Sequence, residues 1–476
     1  MYINGYKLDE YQYASITDGS ESILVIAGAG AGKSLTILGK IKYLLDKGIK
    51  EDEILVISFT NETVKSLKEK INNTIDIYTF HKLGLTILDD NNITISKESL
   101  LPYIIDEYIK SSLKNSKELR IYFKRYFYKV LYSDNLFKTK EYINLKNIII
   151  KYIKLIKSND YDFYYIYKQY KKSIWMNKFI LRLIMNIYVL YEQELRSTNS
   201  IDFDDMLIKA KDKVKEKNLK YKYIIIDEFQ DTSLVRLNLI KEIIKYTNAK
   251  LFAVGDDYQS IYRFNGCDIN IFLNFNKYFN NAKIYKLKYT YRNSQQLIDI
   301  SVNFIMRNKY QIKKEIISDK RINNPVIVLY NINLKDIIKY FDNYLILGRN
   351  NSDIDNINDE NKLTIHKSKG LEADNIFLIN SDSIPNLTIN ESIMDNLFSK
   401  EHIIFEEERR LFYVALTRAK KRIFIFVNKK TSPFVKELIS NYNILVINNL
   451  NNFLLLFQNN FEGDYKLDKH LEQKNL

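Results

Sequence analysis

The run Ala27-Gly28-Ala29-Gly30-Ala31-Gly32-Lys33-Ser34 constrains this chain more than any other stretch. It follows the apolar segment ILVI and opens the next polar–apolar segment, so a buried strand, a tight loop and a helix start must meet there. Small residues let backbone N–H groups come close to phosphate oxygens, and a helix N-terminus adds positive potential. In that setting Lys33 reaches the β- and γ-phosphates of a nucleotide and the Ser34 hydroxyl holds Mg²⁺. Ala27 stands where the common pattern has its first glycine.

A second constraint sits at Ile224-Ile225-Ile226-Asp227-Glu228, two carboxylates at the end of a buried strand. Asp227 suits Mg²⁺ coordination, and Glu228 suits a base that orients and deprotonates water. Together with the loop, they point to ATP hydrolysis rather than transfer to another substrate. A pair of surface acids at a strand end is the plainer alternative, and the loop in the same α/β unit argues against it.

The remaining strands read as two sets. ESILVIA, ILVISFT (54–60), YKYIIIDE (221–228), LFAVGD (251–256) and KIYKLKYT (283–290) form the first. NPVIVLY (324–330), YLILGR (344–349), NIFLIN (375–380) and KRIFIFV (421–427) form the second. Strands alternating with helices predict parallel α/β sheets. Between about 90 and 200 the pattern turns wholly helical. Within it, residues 101–200 hold 19 Lys and Arg against 9 Asp and Glu, which places ten of the fourteen net positive charges in that stretch. The block also carries 15 of the 37 Tyr, and Trp175. A basic, aromatic surface suits a polyanion with stackable bases; a helical domain with a solvated basic face and a Tyr-filled core is equally compatible.

At 476 residues the chain suits two to four compact units. One cysteine, Cys267, leaves no disulfide framework and no Cys-based metal site. No signal-like start and no apolar run near 20 residues is evident, so a soluble, cytoplasmic protein without membrane contact is expected.

At this point the ordered motifs resemble the UvrD/Rep/PcrA family of superfamily 1A DNA helicases, over residues 8–427. LDEYQ (8–12) is similar to the family's Q motif, which places Gln12 at the adenine edge. SFTN (58–61) and TFH (79–81) resemble two strand-gripping motifs, assigning Phe59, Thr60, Asn61, Thr79 and His81 to DNA. DEFQDT (227–232) is close to a family motif, and in VGDDYQSIY (254–262) Gln259 senses the γ-phosphate. YTYRNS (289–294) implies Tyr291 on the adenine and Arg292 at the γ-phosphate. TIHKSKGLE (364–372) puts His366 near DNA and Glu372 at the ribose. EERRLFYVALTRA, from Glu407, supplies Arg418 as a second arginine at the γ-phosphate. Tyr262 and Phe264 fall where aromatics stack on bases, although a core role is as available to each.

The resemblance implies two RecA-like domains. Residues 1–90 and 201–292 would form the first, 91–200 an inserted helical subdomain (1B), and 293–476 the second. Three departures stand out. Asn265 replaces an arginine that follows the coupling motif. Leu35 stands where relatives carry an arginine over the adenine. The large 2B subdomain is expected to be reduced to a short loop near 351–362, and no C-terminal nuclease is expected.

The implied activity is an ATP-dependent single-stranded DNA translocase and helicase, running 3′ to 5′ and acting on single strands and tailed duplexes. The catalytic set is Lys33, Asp227, Glu228, Gln259, Arg292 and Arg418. Two alternatives stay open: a protein-displacing translocase, and an ATP-switched binding subunit serving a nuclease or a replication or defence partner.

Overall fold

A computed structural model describes the chain except residues 4, 72–73, 90–93, 118–119, 122–135, 173–174, 386–402, 429 and 461–476. The expected boundary at 90/91 therefore lies outside the described residues.

Apolar strands that are buried on both faces need helices on either side, and parallel pairing is the arrangement that provides them. Ile54–Ser58, with every residue buried, is such a strand. Two six-stranded sheets result, and every pairing within them is parallel. In spatial order the first sheet runs Lys283–Lys286, Ser22–Ile26, Lys250–Gly255, Tyr223–Ile226, Ile54–Ser58, Asp76–Thr79. The second runs Lys362–Thr364, Tyr344–Gly348, Ala373–Leu378, Ala419–Val427, Val326–Tyr330, Leu445–Ile447. This is the α/β pair of RecA-like domains that the motifs implied. The sequence reading missed three edge strands, Asp76–Thr79, Lys362–Thr364 and Leu445–Ile447, each only three or four residues long.

The helical block contains helices Leu100–Asn115, Lys140–Ser158, Phe163–Lys172 and Trp175–Ser197, around a core of its own that includes Ile105, Ile149, Tyr152 and Ile184. At its root Thr94–Ile95 pairs in parallel with Ser200–Ile201, so the segments entering and leaving the block lie side by side. Lys157 locks it to the first domain. Its ammonium is buried against Glu192 (2.6 Å), Asp202 (2.7 Å) and Asp205 (2.9 Å).

The two sheets are joined by more than one pass of the chain. Helix Gln295–Ile305 packs on the second sheet through Leu297, Ile300 and Phe304. The chain then returns to the first domain: Ile317 N donates to Lys288 O at 2.8 Å and Ile312 N to Asp257 Oδ2 at 2.8 Å. Only afterwards does it enter the second sheet at Val326. Between Gly348 and Lys362 lie a single short helix, Asn351–Ile354, and a loop. Among the described residues no helix is long and apolar enough to cross a membrane.

Candidate active site

Open parallel sheets gather functional groups at the carboxyl ends of their strands, and the first sheet does so here. Ser22–Ile26 runs into the glycine loop, Tyr223–Ile226 into Asp227 and Glu228, and Lys250–Gly255 into the turn that carries Gln259. The second sheet presents its opposite edge. Its register pairs Ala373 with Ala419, which sets the preceding residues, Glu372 and Arg418, next to each other. Between the two edges lies a cavity of about 440 Å³ lined by Gly28, Gly30, Ala31, Gly32, Lys33, Ser34, Glu228, Gln259, Tyr291, Arg292, Glu372 and Arg418. Lys320, Gly370 and Lys420 complete the lining. A larger cavity of about 650 Å³, at the start of the strands Val326–Tyr330 and Leu445–Ile447, holds none of the expected site residues.

The segment after strand Lys283–Lys286, at the border of the two domains, bonds the loop. Tyr291 N donates to Gly30 O at 3.0 Å, and Thr290 Oγ1 donates to Ala29 O at 2.8 Å. Gly30 has φ +71°, and a Cβ there would run into Arg292 and Thr290, so glycine is needed for conformation and for space. Ala27, expected as part of the cradle, is fully buried, and its N–H donates to Gly255 O at 2.9 Å.

Lys33 and Glu228 form an ion pair at 3.2 Å inside the cavity. Burial would raise the Glu228 carboxyl, but Lys33 and Lys369 overcome it and hold the group well below the usual range, so it stays ionised. Glu228 also sits at φ +48°, a left-handed backbone rare for a non-glycine residue and frequent at functional sites. Asp227 goes the other way: burial, then the adjacent Glu228 charge, pushes it up. Asp227 and Ser34 carry oxygen donors of the kind Mg²⁺ takes.

Gln259 is tied into this set from both domains. Its Nε2 donates to Asp256 Oδ2 at 2.5 Å, and its Oε1 accepts from Arg418 Nη2 at 3.1 Å. Arg418 is nearly fully buried, and its other bonds go to neutral groups: Val414 O, Leu371 O and Thr417 Oγ1. Burial, then the nearby Arg292 cation, lowers its pKa to about 9, which leaves it charged at neutral pH. Arg292 donates through Nε to Glu372 Oε2 at 2.5 Å, and Glu372 also pairs with Lys420 at 2.9 Å. The expected ribose ligand is thus engaged by two cations.

At the other end of the cavity Asp9 acts as a hub. It caps helix Glu10–Thr17 in a reciprocal box with Gln12 and accepts from Tyr291 OH at 2.9 Å. Gln12 Nε2 in turn donates to Ala31 O at 3.3 Å. Gln12 and Tyr291, both expected at the base, therefore share one neighbourhood, and Asp9 is a member that the sequence reading quoted without a role.

The residues expected on DNA separate into two groups. Tyr262, Phe264 and His366 come together: Phe264 lies edge-on to His366 at 5.3 Å, and Tyr262 OH donates to His366 O at 3.1 Å. Phe59 packs edge-on against Phe80 at 5.3 Å with the Arg236 guanidinium above both rings. Thr79 spends its hydroxyl capping helix Phe80–Leu88. His81 stacks on Phe203 at 4.4 Å, while Thr60 and Asn61 are exposed at a helix start.

Three basic residues around the site were not singled out from the sequence. Lys369 bonds the Asp231 carboxylate, donates to Gln259 O at 2.8 Å and covers the Tyr262 ring at 4.8 Å. Lys314, on the returning segment, pairs with Asp256 and with Asp257, the latter at 2.7 Å. Arg236 donates to Asp231 O at 3.0 Å. Lys369 lies inside a quoted motif, and that was the one available signal.

The sequence profile of the UvrD/REP helicase N-terminal domain matches residues 8–280, and that of the viral superfamily 1 RNA helicase core domain matches residues 172–427. The chain is 33% identical to a probable DNA helicase II homolog of Mycoplasma capricolum over 67% of its own length and 44% of that protein. It is 26% identical to DNA helicase IV of Escherichia coli over 92% of its length and 71% of that protein. With the ATP-dependent DNA helicase Rep of Buchnera aphidicola it shares 30% identity over 64% of its length and 46% of that protein. It thus spans about half the length of two of these three relatives. A profile match over more than half of the chain takes in the glycine loop, the Asp227-Glu228 pair and the Gln259 turn, and with it the chain belongs to the UvrD/Rep helicase family.

Proposed function

We propose that this protein is an ATP-driven motor on single-stranded DNA, a helicase whose hydrolytic site lies between its two parallel-sheet domains. The observation that carries the reading is the meeting of Arg292 and Arg418 with Lys33, Glu228 and Gln259 around one cavity. Arg418 from the second domain, with Arg292 at the border, completing a phosphate site on the first domain makes nucleotide binding close the cleft and hydrolysis reopen it.

In this reading the glycine loop and Lys33 hold the β- and γ-phosphates, and Lys33 gives up Glu228 to do so. Glu228, kept ionised, takes the proton of the attacking water. Gln259 and Arg418, already bonded to each other, report the γ-phosphate to the Tyr262–Phe264 turn three residues on. Bound Mg²⁺ neutralises phosphate charge, and Ser34 and Asp227 are the side chains that would hold it. Gln12, Asp9 and Tyr291 form the base end of the site. The strand would run past Tyr262, Phe264 and His366, with base stacking that tolerates any sequence. The names of the relatives, DNA helicases II, IV and Rep, support DNA as the track.

The test is strand displacement with ATP on duplexes carrying a 3′ or a 5′ single-stranded tail. The motor reading with 3′-to-5′ polarity predicts displacement from the 3′-tailed substrate. Displacement from the 5′-tailed duplex alone would reverse the polarity. Hydrolysis without displacement from either would favour the protein-displacing translocase, for which the short connection between Gly348 and Lys362, in place of a 2B subdomain, is the specific hint.

A further inference from the structure

Helix Phe163–Lys172, in the inserted block, turns one face into that block's core and another into solvent. Ile166 is 2% exposed, and Tyr165 and Tyr170 pack beside it. The opposite face carries Phe163, Tyr164 and Tyr167, exposed by 58%, 73% and 53%. Exposed Lys168 and Lys171 share it. Positions 163, 164, 167, 168 and 171 fall on one side of a helix, so the face is a continuous aromatic and basic strip. Lys171 lies over the Tyr167 ring at 4.8 Å, Lys178 over Tyr170 at 5.8 Å, and the Tyr167 and Tyr170 rings are nearly parallel, at 11°. The sequence FYYIYKQYKK contains no acidic residue.

Large rings left this exposed call for an occupant. An apolar protein surface would leave the lysines to be desolvated. A strand of unpaired bases satisfies both components, because rings stack on bases and ammonium groups meet phosphates.

The helix that carries the strip is tied to the aromatic turn of the motor. Gly266, at φ +84°, ends the turn Arg263–Asn265, which holds Phe264. Ser158 Oγ and Asn159 Nδ2 both donate to Gly266 O, at 3.3 and 3.2 Å. Two residues on, Tyr161 stacks on Tyr165 at 4.5 Å, which leads into helix Phe163–Lys172. The same short connection thus joins the Phe264 turn to the helix that carries the strip.

We propose that the Phe163–Tyr164–Tyr167 face, with Lys168 and Lys171, is a second binding site for single-stranded nucleic acid, extending the track beyond the Tyr262–Phe264–His366 cluster. The proposal rests on the motor reading for the position of the first track.

The experiment uses the full chain with Tyr164→Ala/Tyr167→Ala and, separately, Lys168→Glu/Lys171→Glu. All four side chains are exposed, so folding should be unaffected, and an unchanged melting temperature verifies this. Binding of labelled oligothymidylates of about 8 and about 20 nucleotides is followed by fluorescence anisotropy. The site predicts that both variants match wild type on the short strand and bind the long one at least about tenfold more weakly, as expected when base stacks are lost. The charge-reversed variant should also show a shallower salt dependence on the long strand. Wild-type affinity for the long strand in both variants would overturn the site and point to a protein occupant. ATP hydrolysis by the same samples is scored separately. Hydrolysis indifferent to DNA, with length-dependent binding intact, would sink the motor reading and leave this binding face standing.

Discussion

Arg418 Nη2 donates to Gln259 Oε1 at 3.1 Å, tying the edge of the second sheet to a turn on the first. The bond joins a buried cation, whose other partners are neutral, to an amide that also holds Asp256. Arg418→Ala should lower kcat for ATP by roughly 10³-fold, the scale of a lost arginine at a transferring phosphoryl group. Nucleotide affinity should change by less than about tenfold. Steady-state kinetics with single-stranded DNA present checks this, and a fall confined to KM would move Arg418 out of the reaction and into binding.

Glu228→Gln removes the base and keeps the shape. Hydrolysis should drop by about 10²-fold or more, the usual contribution of a positioned base, while ATP and DNA are still bound. Turnover within a few-fold of wild type would take the base role away from Glu228.

Lys157 is 5% exposed and offsets three carboxylates on two units of the fold. Lys157→Met leaves those charges unpaired, which costs about 3–5 kcal/mol at a buried site. The melting temperature should fall by several degrees. A Tm equal to wild type would mean that the cluster is already solvated.

His81 and His366 are held neutral, mainly by burial, with pKa values of about 4 and about 3. An ordinary histidine titrates near 6.5, so the unfolded chain takes up protons that the folded one refuses. Each histidine therefore contributes stability that is complete above about pH 6.5 and is lost as the pH falls toward about 4 for His81 and about 3 for His366. Thermal melts between pH 7 and pH 5 should show this decline, and His81→Gln should make it shallower. Parallel declines in the two proteins would exclude His81 as a source.

Gly266 faces Ser158 so closely that any Cβ would collide with it, and its φ of +84° is strained for other residues. Gly266→Ala should cost about 1–3 kcal/mol and loosen the turn that bears Phe264. Weaker DNA binding together with near-normal DNA-independent hydrolysis is the expected pair of results. If both are untouched, the turn does not depend on the helical block.

Much of the site was legible because its chemistry is local. The glycine loop and Asp227-Glu228 are each written in a few contiguous residues bounded by apolar strands, so their placement followed from pattern alone. The buried cations were harder. Lys314 and Lys369 are two among 72 Lys and Arg, and nothing nearby in sequence says that Asp256, Asp257 and Asp231 wait for them. Phe59 shows the same limit: its ring packs on Phe80 under Arg236, a neighbour 177 positions away in sequence. The edge strands Asp76–Thr79 and Lys362–Thr364 carry polar residues and are too short for a clear alternation, so only pairing with their neighbours defines them. In the helical block the composition showed tyrosines and lysines together, and only the fold separates the core ring of Tyr152 from the solvent-facing ring of Tyr164.

The most direct measurement is the rate of ATP hydrolysis against added single-stranded DNA at two salt concentrations. The account predicts strong stimulation that needs more DNA at the higher salt, because phosphate contacts release counterions. A rate that is flat with DNA at both salts would contradict it and leave a nucleotide-dependent switch in place of a motor.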